Sequence, residues 1–181
     1  MNTPIDLTTG LVTSARQVYS PNYNQRPAGS AIELIVIHNI SLPPGEFGGG
    51  WIEALFTNRL PPAVHPYFQT IAALQVSAHL LLERSGAIVQ FVPFSLRAWH
   101  AGVSCYQGRN NCNDFSIGIE LEGTDNTPYT EAQYQQLGRL IPALQQVYPQ
   151  IKHITGHCDI APGRKTDPGP AFDWSRLGII R

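Results

Sequence analysis

The run Glu33-Leu34-Ile35-Val36-Ile37-His38-Asn39 is apolar on both parities, rich in β-branched residues, and closed by an imidazole and an amide. A strand with one solvated face alternates. A short continuous apolar run reads instead as a strand covered on both faces. Residues 115–121 (FSIGIEL) predict a partner strand, with Ile117, Ile119 and Leu121 on one face and Ser116, Gly118 and Glu120 on the other. Residues 78–83 and 87–92 flank Ser85-Gly86 and predict a hairpin, the glycine supplying a positive φ. A further short strand is expected at 153–157.

Helices punctuate these strands. Residues 131–148 carry the clearest signal: Thr130 and Gln133 make a capping box, and Tyr134, Leu137, Ile141, Leu144 and Tyr148 form one apolar stripe. Pro142 should kink this helix, with Gly138 leaving room for its ring. Shorter helices are expected at 51–57 (WIEALFT) and from Asp173, a cap for Trp174-Ser175-Arg176-Leu177. Residues 42–50 (LPPGEFGGG) read as a loop, and residues 1–30 as an irregular wrap around the core. Strands alternate with helices, but the hairpin breaks a pure βαβ order. The expected fold is therefore α/β (α+β): one domain over 1–181, with a mixed central sheet flanked by helices.

A chain of 181 residues can bury a core without staples. Its net charge of −1, with 14% charged residues, offers no basic stripe for nucleic acid. No apolar stretch approaches the ~18 residues of a membrane span. Met1–Gly10 lacks the features of a secretory signal, so with Met1 as the native start a cytoplasmic protein is expected, as a monomer. Cys105, Cys112 and Cys158 are an odd set without C-x-x-C spacing and read as reduced thiols.

The chemistry sits in Gly156-His157-Cys158-Asp159-Ile160-Ala161-Pro162-Gly163-Arg164-Lys165-Thr166-Asp167-Pro168-Gly169-Pro170. His157 follows a β-branched pair, and Asp167 is held between a threonine and a proline. With His38 at the end of the first strand, two imidazoles and a carboxylate make a zinc set that leaves a position open for water. The arrangement suggests metal-assisted hydrolysis, although a lone histidine is more often structural than a ligand and Asp-Pro is a common turn. Cys158 is the competing ligand; on a strand it would face away from His157. Glu120 is a candidate general base, with Glu122 at the same parity as its rival. Lys165 could stabilise an oxyanion or be a solvated loop lysine. Trp99-His100-Ala101-Gly102 reads either as a sugar-stacking wall or as a core indole beside a surface histidine, and His79 as a supporting or substrate group. His65 and His153 read as structural.

Together, Val36–Gly49, Ser77-Ala78-His79, Arg97–Gly102, Asn113–Asp125, Gly156–Pro162 and Lys165–Gly169 resemble the AmpD family of cytoplasmic anhydro-N-acetylmuramyl-L-alanine amidases, over nearly the whole chain. The wider group holds phage T7-lysozyme-type amidases and peptidoglycan recognition proteins. The resemblance implies Zn2+ on His38, His157 and Asp167, Glu120 rather than Glu122 as base, and Lys165 as polarising group. It implies an anhydromuropeptide substrate, peptidoglycan recycling and restraint of β-lactamase induction. Asn39, Tyr67, His79, Trp99, His100 and Arg109 are the candidate substrate contacts. Some members carry arginines where this chain has Gln75 and Asn111, and Arg109 could compensate. A non-catalytic muropeptide receptor of the same fold is the competing reading, and the intact His38, His157, Asp167 and Glu120 weigh against it.

Overall fold

The computed structural model describes residues 4–179. Within them the N-terminal wrap is more ordered than its polar sequence suggests; its residues 1–3 lie outside the described residues. β1 (Ile5–Asp6) and β2 (Leu11–Val12) form a ribbon, β3 (Arg16–Gln17) joins the main sheet, and β4 (Tyr23–Gln25) belongs to a second ribbon. A buried side chain holds this segment down. Gln90 accepts from Val12 N–H at 2.7 Å and donates to the Gly10 carbonyl at 3.0 Å. Local composition cannot show a partner about eighty residues away.

The opening run is β5 (Leu34–Ile40), which continues two residues past His38. It is followed by α1 (Trp51–Phe56), α2 (Pro66–Ile71), the hairpin β6 (Leu80–Leu82) and β7 (Ile88–Gln90), then β8 (Leu96–Ala98), which pairs with β4. The ribbon of β9 (Cys105–Tyr106) and β10 (Arg109–Asn110) precedes β11 (Ser116–Glu122). The chain then forms α3 (Glu131–Val147), β12 (His153–Gly156) and α4 (His157–Ile160). α2 has a sequence signal, Pro66 in the first turn behind a capping His65, whose ring accepts Tyr67 N–H at 3.1 Å. The expected last helix is a single 3-10 turn, Trp174–Leu177, which Asp173 does cap.

The six-stranded sheet runs β12-β5-β11-β6-β7-β3. Its first four strands are parallel, and β7 runs antiparallel to β6. The mixed sheet with flanking helices is the expected one. On one face Ile35, Ile37, Ile117, Ile119 and Leu121 pack against Leu137, Leu140, Ile141 and Leu144 of α3. Each such buried side chain is worth about 1.5–3 kcal/mol of transfer free energy. Both arms of the Thr130–Gln133 capping box form, and α3 runs unbroken through Pro142. On the opposite face Leu81, Val89 and Phe91 pack against Ile52, Leu55 and Phe56 of α1 and Phe68 of α2. Among the described residues, no helix is long and apolar enough to cross a membrane. Because β5, β11 and β12 are parallel, their C-terminal ends share one edge, where α/β proteins build sites.

Candidate metal centre and active site

The register of β5 on β11 sets His38 directly beside Glu120. Both lie on the parity opposite the isoleucines that face α3, so both side chains leave the sheet away from that helix. β12 lies on the other side of β5, with Gly156 beside Ile37, and the chain then turns into α4. The turn is set by Asp159, whose Oδ2 accepts Gly156 N–H at 2.7 Å and the Thr155 hydroxyl at 2.8 Å. His157 thus arrives next to His38. Cys158 stands on this helical turn rather than on a strand, so the facing argument made for it does not apply. The cluster nevertheless contains His38, His157 and Asp167 and not Cys158.

Asp167 comes from the loop beyond α4. Asn39 Nδ2 and the Tyr129 hydroxyl donate to the Pro168 carbonyl at 3.1 and 2.8 Å, and Cys158 N–H donates to the Asp167 carbonyl at 2.9 Å. A Cβ on Gly156 would lie 2.8 Å from Pro168 Cδ, so a glycine there lets the loop close.

His38 Nδ1, His157 Nδ1 and Asp167 Oδ2 then form a triangle with sides of 3.0, 3.1 and 3.1 Å. His157 Nε2 faces the Ala101 carbonyl at 3.1 Å and must carry a hydrogen there, so in the neutral tautomer Nδ1 is the bare lone pair. Lone pairs and a carboxylate oxygen facing one point repel unless a cation sits between them. Tetrahedral zinc with ligand bonds of about 2.0 Å needs donor atoms about 3.3 Å apart, which this set meets with little adjustment. Burial drives His38 down to about 4, so the ring is neutral at pH 7, as a ligand must be. At Asp167 burial raises the carboxyl, but the contacts with His157 and His38 outweigh it and hold the group below the usual carboxylate range. Three ligands and an open position are the catalytic, not the structural, pattern.

Glu120 is only 9% exposed, and its Oε2 has no hydrogen-bond partner among the described residues. Burial, and then the charge of Asp167, push its carboxyl well above the ordinary glutamate value, while Lys165 pulls the other way. Glu122, equally buried, accepts backbone N–H groups of Gly48 and Arg84 on its two oxygens, so it is a structural clamp. The triangle, Glu120 and the exposed Lys165 line a cleft of about 330 Å³. Leu42, Leu55, Phe56, Ile71 and Leu74 supply the apolar part of its wall.

Residues 28–170 match the N-acetylmuramoyl-L-alanine amidase family. The chain belongs to that family. It is 63% identical to the 1,6-anhydro-N-acetylmuramyl-L-alanine amidase AmpD of Escherichia coli K12 over 175 residues, 96% of each chain. A crystal structure of a selenomethionine AmpD derivative superposes with a TM-score of 0.94 at 61% identity, covering 97% of both chains. The E. coli amidase AmiD, solved in complex with anhydro-N-acetylmuramic acid-L-Ala-D-γ-Glu-L-Lys, superposes with a TM-score of 0.60 at 30% identity, covering 85% of this chain and 60% of that one.

The expected substrate contacts of this amidase divide. Asn39, Tyr67, Trp99 and His100 line the cleft. Tyr67 stands at its lip, 40% exposed, on α2. Trp99 is both wall and anchor, its indole N–H donating to Asn24 Oδ1 at 2.9 Å. Asn39 spends its amide N–H groups on Asp125 at 2.8 Å and on Pro168. His79 is a correction: it is fully buried away from the cleft, accepting Gly118 N–H on Nδ1 and donating from Nε2 to the Leu96 carbonyl, both at 3.1 Å. Its place at a strand start resembled a rim position, but β11 and β8 close over it. Arg109 is a second correction. It pairs with Glu33 at 3.0 Å, stacks on Phe115 at 3.9 Å and lines a separate depression, so it does not line the cleft.

Arg26 had no sequence signal. Mostly buried without a carboxylate, it donates to the carbonyls of Phe94, Asn113, Asp114 and Ser116, and burial lowers it to about 10. It ties the N-terminal segment to the turn that feeds β11.

Proposed function

We propose that this amidase is zinc-dependent and hydrolyses the amide between (1,6-anhydro)N-acetylmuramic acid and the L-alanine of a muropeptide stem. The observation that carries the reading is the triangle of three bare donor atoms beside the unpartnered, buried carboxylate of Glu120. His38, His157 and Asp167 would hold the zinc, which supplies Lewis acidity for the carbonyl and for an attacking water. Glu120, kept basic by burial, takes a proton from that water and returns it to the departing alanine amine. The Lys165 ammonium, from a residue that lines the cleft, offsets charge developing on the carbonyl oxygen. Trp99 and Tyr67 give the sugar and peptide flat apolar surfaces, and the cleft encloses the scissile bond.

The relatives named for the anhydromuramyl substrate, and the AmiD complex with an anhydromuropeptide, support this substrate class. A cytoplasmic role in peptidoglycan recycling, and through it in restraining β-lactamase induction, extends the same reading. The test is mass spectrometry of products from an anhydromuramyl-tripeptide with native protein, with chelator, and with zinc restored. Free peptide and anhydromuramic sugar should appear, vanish with chelator and return with zinc. Intact substrate from protein shown to contain zinc would defeat the proposal in favour of a receptor.

A further inference from the structure

One dipeptide touches both histidines of the triangle from outside. His100 Nδ1 lies 2.9 Å from His38 Nε2, and the Ala101 carbonyl lies 3.1 Å from His157 Nε2. The dipeptide is itself pinned: the N–H groups of His100 and Ala101 donate to Asn113 Oδ1 at 3.1 and 2.8 Å. Arg164 Nη2 donates to the same Ala101 carbonyl at 2.7 Å.

The direction of each hydrogen bond can be traced from the protein interior. The Ser116 hydroxyl donates to the Cys112 carbonyl at 2.6 Å, so its oxygen has only acceptor capacity left. His100 Nε2, 3.1 Å away, must therefore carry the hydrogen that meets it. A neutral His100 then presents a lone pair at Nδ1, which only a His38 Nε2–H can satisfy. His38 is left with Nδ1 bare, aimed into the triangle. A second observation points the same way. A Cβ on Gly118 would fall well inside van der Waals distance of the His100 ring, although Gly118 does not have a positive φ. This glycine serves the imidazole seated over it and not a turn.

We propose that His100, seated on Gly118 and oriented by Ser116, is a positioning residue that sets the tautomer and aim of His38, while the Ala101 carbonyl does the same for His157. This rests on the zinc reading above. His100 lines the cleft as a candidate substrate contact, but both of its ring nitrogens are spent inside the protein, on His38 and Ser116. Loss of such an outer partner weakens metal binding by about 10–100-fold.

The experiment measures zinc affinity by chelator competition on the full chain, for wild type, His100→Ala, His100→Asn and Ser116→Ala, with a thermal melt of each. Long-range 1H–15N spectra of the wild type, zinc-loaded and zinc-free, read the histidine tautomers. His100→Ala should weaken zinc about 10–100-fold. His100→Asn, whose side-chain carbonyl can accept near the Nδ1 position, should recover most of that loss. Ser116→Ala keeps the ring in place and should weaken zinc by a smaller factor. The spectra should show His100 neutral and protonated at Nε2. Wild-type affinity in a cooperatively folded His100→Ala, or a His100 protonated at Nδ1, would overturn the proposal. A wild type that fails to hold zinc would instead defeat the metal reading, and the His100 tautomer in the zinc-free protein would still decide the relay.

Discussion

Toward α3, β5 and β11 present Ile35, Ile37, Ile117, Ile119 and Leu121, all with exposures near zero and filled in by one long helix. Toward the cleft the same strands present His38, Ser116, Glu120 and Glu122, buried to within 9%. The two faces are equally dry but differ in what their groups lack. On the α3 face these five side chains carry no polar atom that needs a partner. On the cleft face most polar atoms are paired by design: Ser116 with Cys112 and His100, Glu122 with Gly48 and Arg84. The exceptions are the three inward donor atoms and Glu120 Oε2. Gln17 Oε1 and Arg84 Nη1 are also buried and unsatisfied, so what sets the cleft group apart is that its inward donor atoms and Glu120 Oε2 line one cavity, at a cost to stability.

The two faces yield substitutions that should separate cleanly. Leu137→Ala, on the α3 face, should cost about 2–5 kcal/mol of unfolding free energy and leave zinc affinity and kcat of the folded protein unchanged. A large fall in kcat at saturating zinc would mean the faces are coupled. Asp167→Ala removes a proposed ligand and should weaken zinc beyond the roughly 100-fold ceiling of an outer-sphere change. Unchanged metal content by elemental analysis would remove Asp167 from the set. Gly156→Ala should force Pro168 outward, costing about 1–3 kcal/mol of stability and loosening zinc together. A loss of stability alone would show that the loop tolerates the shift.

The smallest effect is a titration. Glu120 in zinc-free protein should titrate well above ordinary glutamate, and zinc should lower it, since a nearby cation favours the carboxylate. Carboxyl 13C chemical shifts across pH, with and without zinc, measure both. An ordinary value in the zinc-free protein would contradict the burial described for this side chain. With the folded pKa raised, the contribution of Glu120 to stability is present below the unfolded value and lost as pH rises through the folded one.

The features set by local rules were legible in the residues. β5 and β11 follow from apolar patterning, α3 from its stripe and capping box, and the proposed ligand set, which the fold brings into one cluster, from residue types together with the family resemblance. What escaped depends on contacts between segments far apart in sequence. The Gln90 side chain, about eighty residues away, orders the N-terminal segment. His79 and Arg109 carry polar rings and charges that suit a substrate wall, but burial under β11 and pairing with Glu33 spend them elsewhere. Glu120 and Glu122 share parity, and only the loop that brings Gly48 over Glu122 tells them apart. The service of His100 to His38 needs the register of three strands.

The most direct test compares Glu120→Gln with Glu122→Gln, measuring turnover of the zinc-loaded proteins and thermal unfolding of the zinc-free ones. Glu120→Gln should hold zinc, lose about 10²–10⁴-fold in kcat, and unfold about 2–4 °C higher because a carboxyl whose ionised form burial disfavours is replaced by a neutral amide. Glu122→Gln should unfold at lower temperature, having set an amide against backbone donors, and turn over near the wild-type rate per folded molecule. Near-normal turnover in Glu120→Gln, or loss of catalysis without loss of stability in Glu122→Gln, would contradict the assignment.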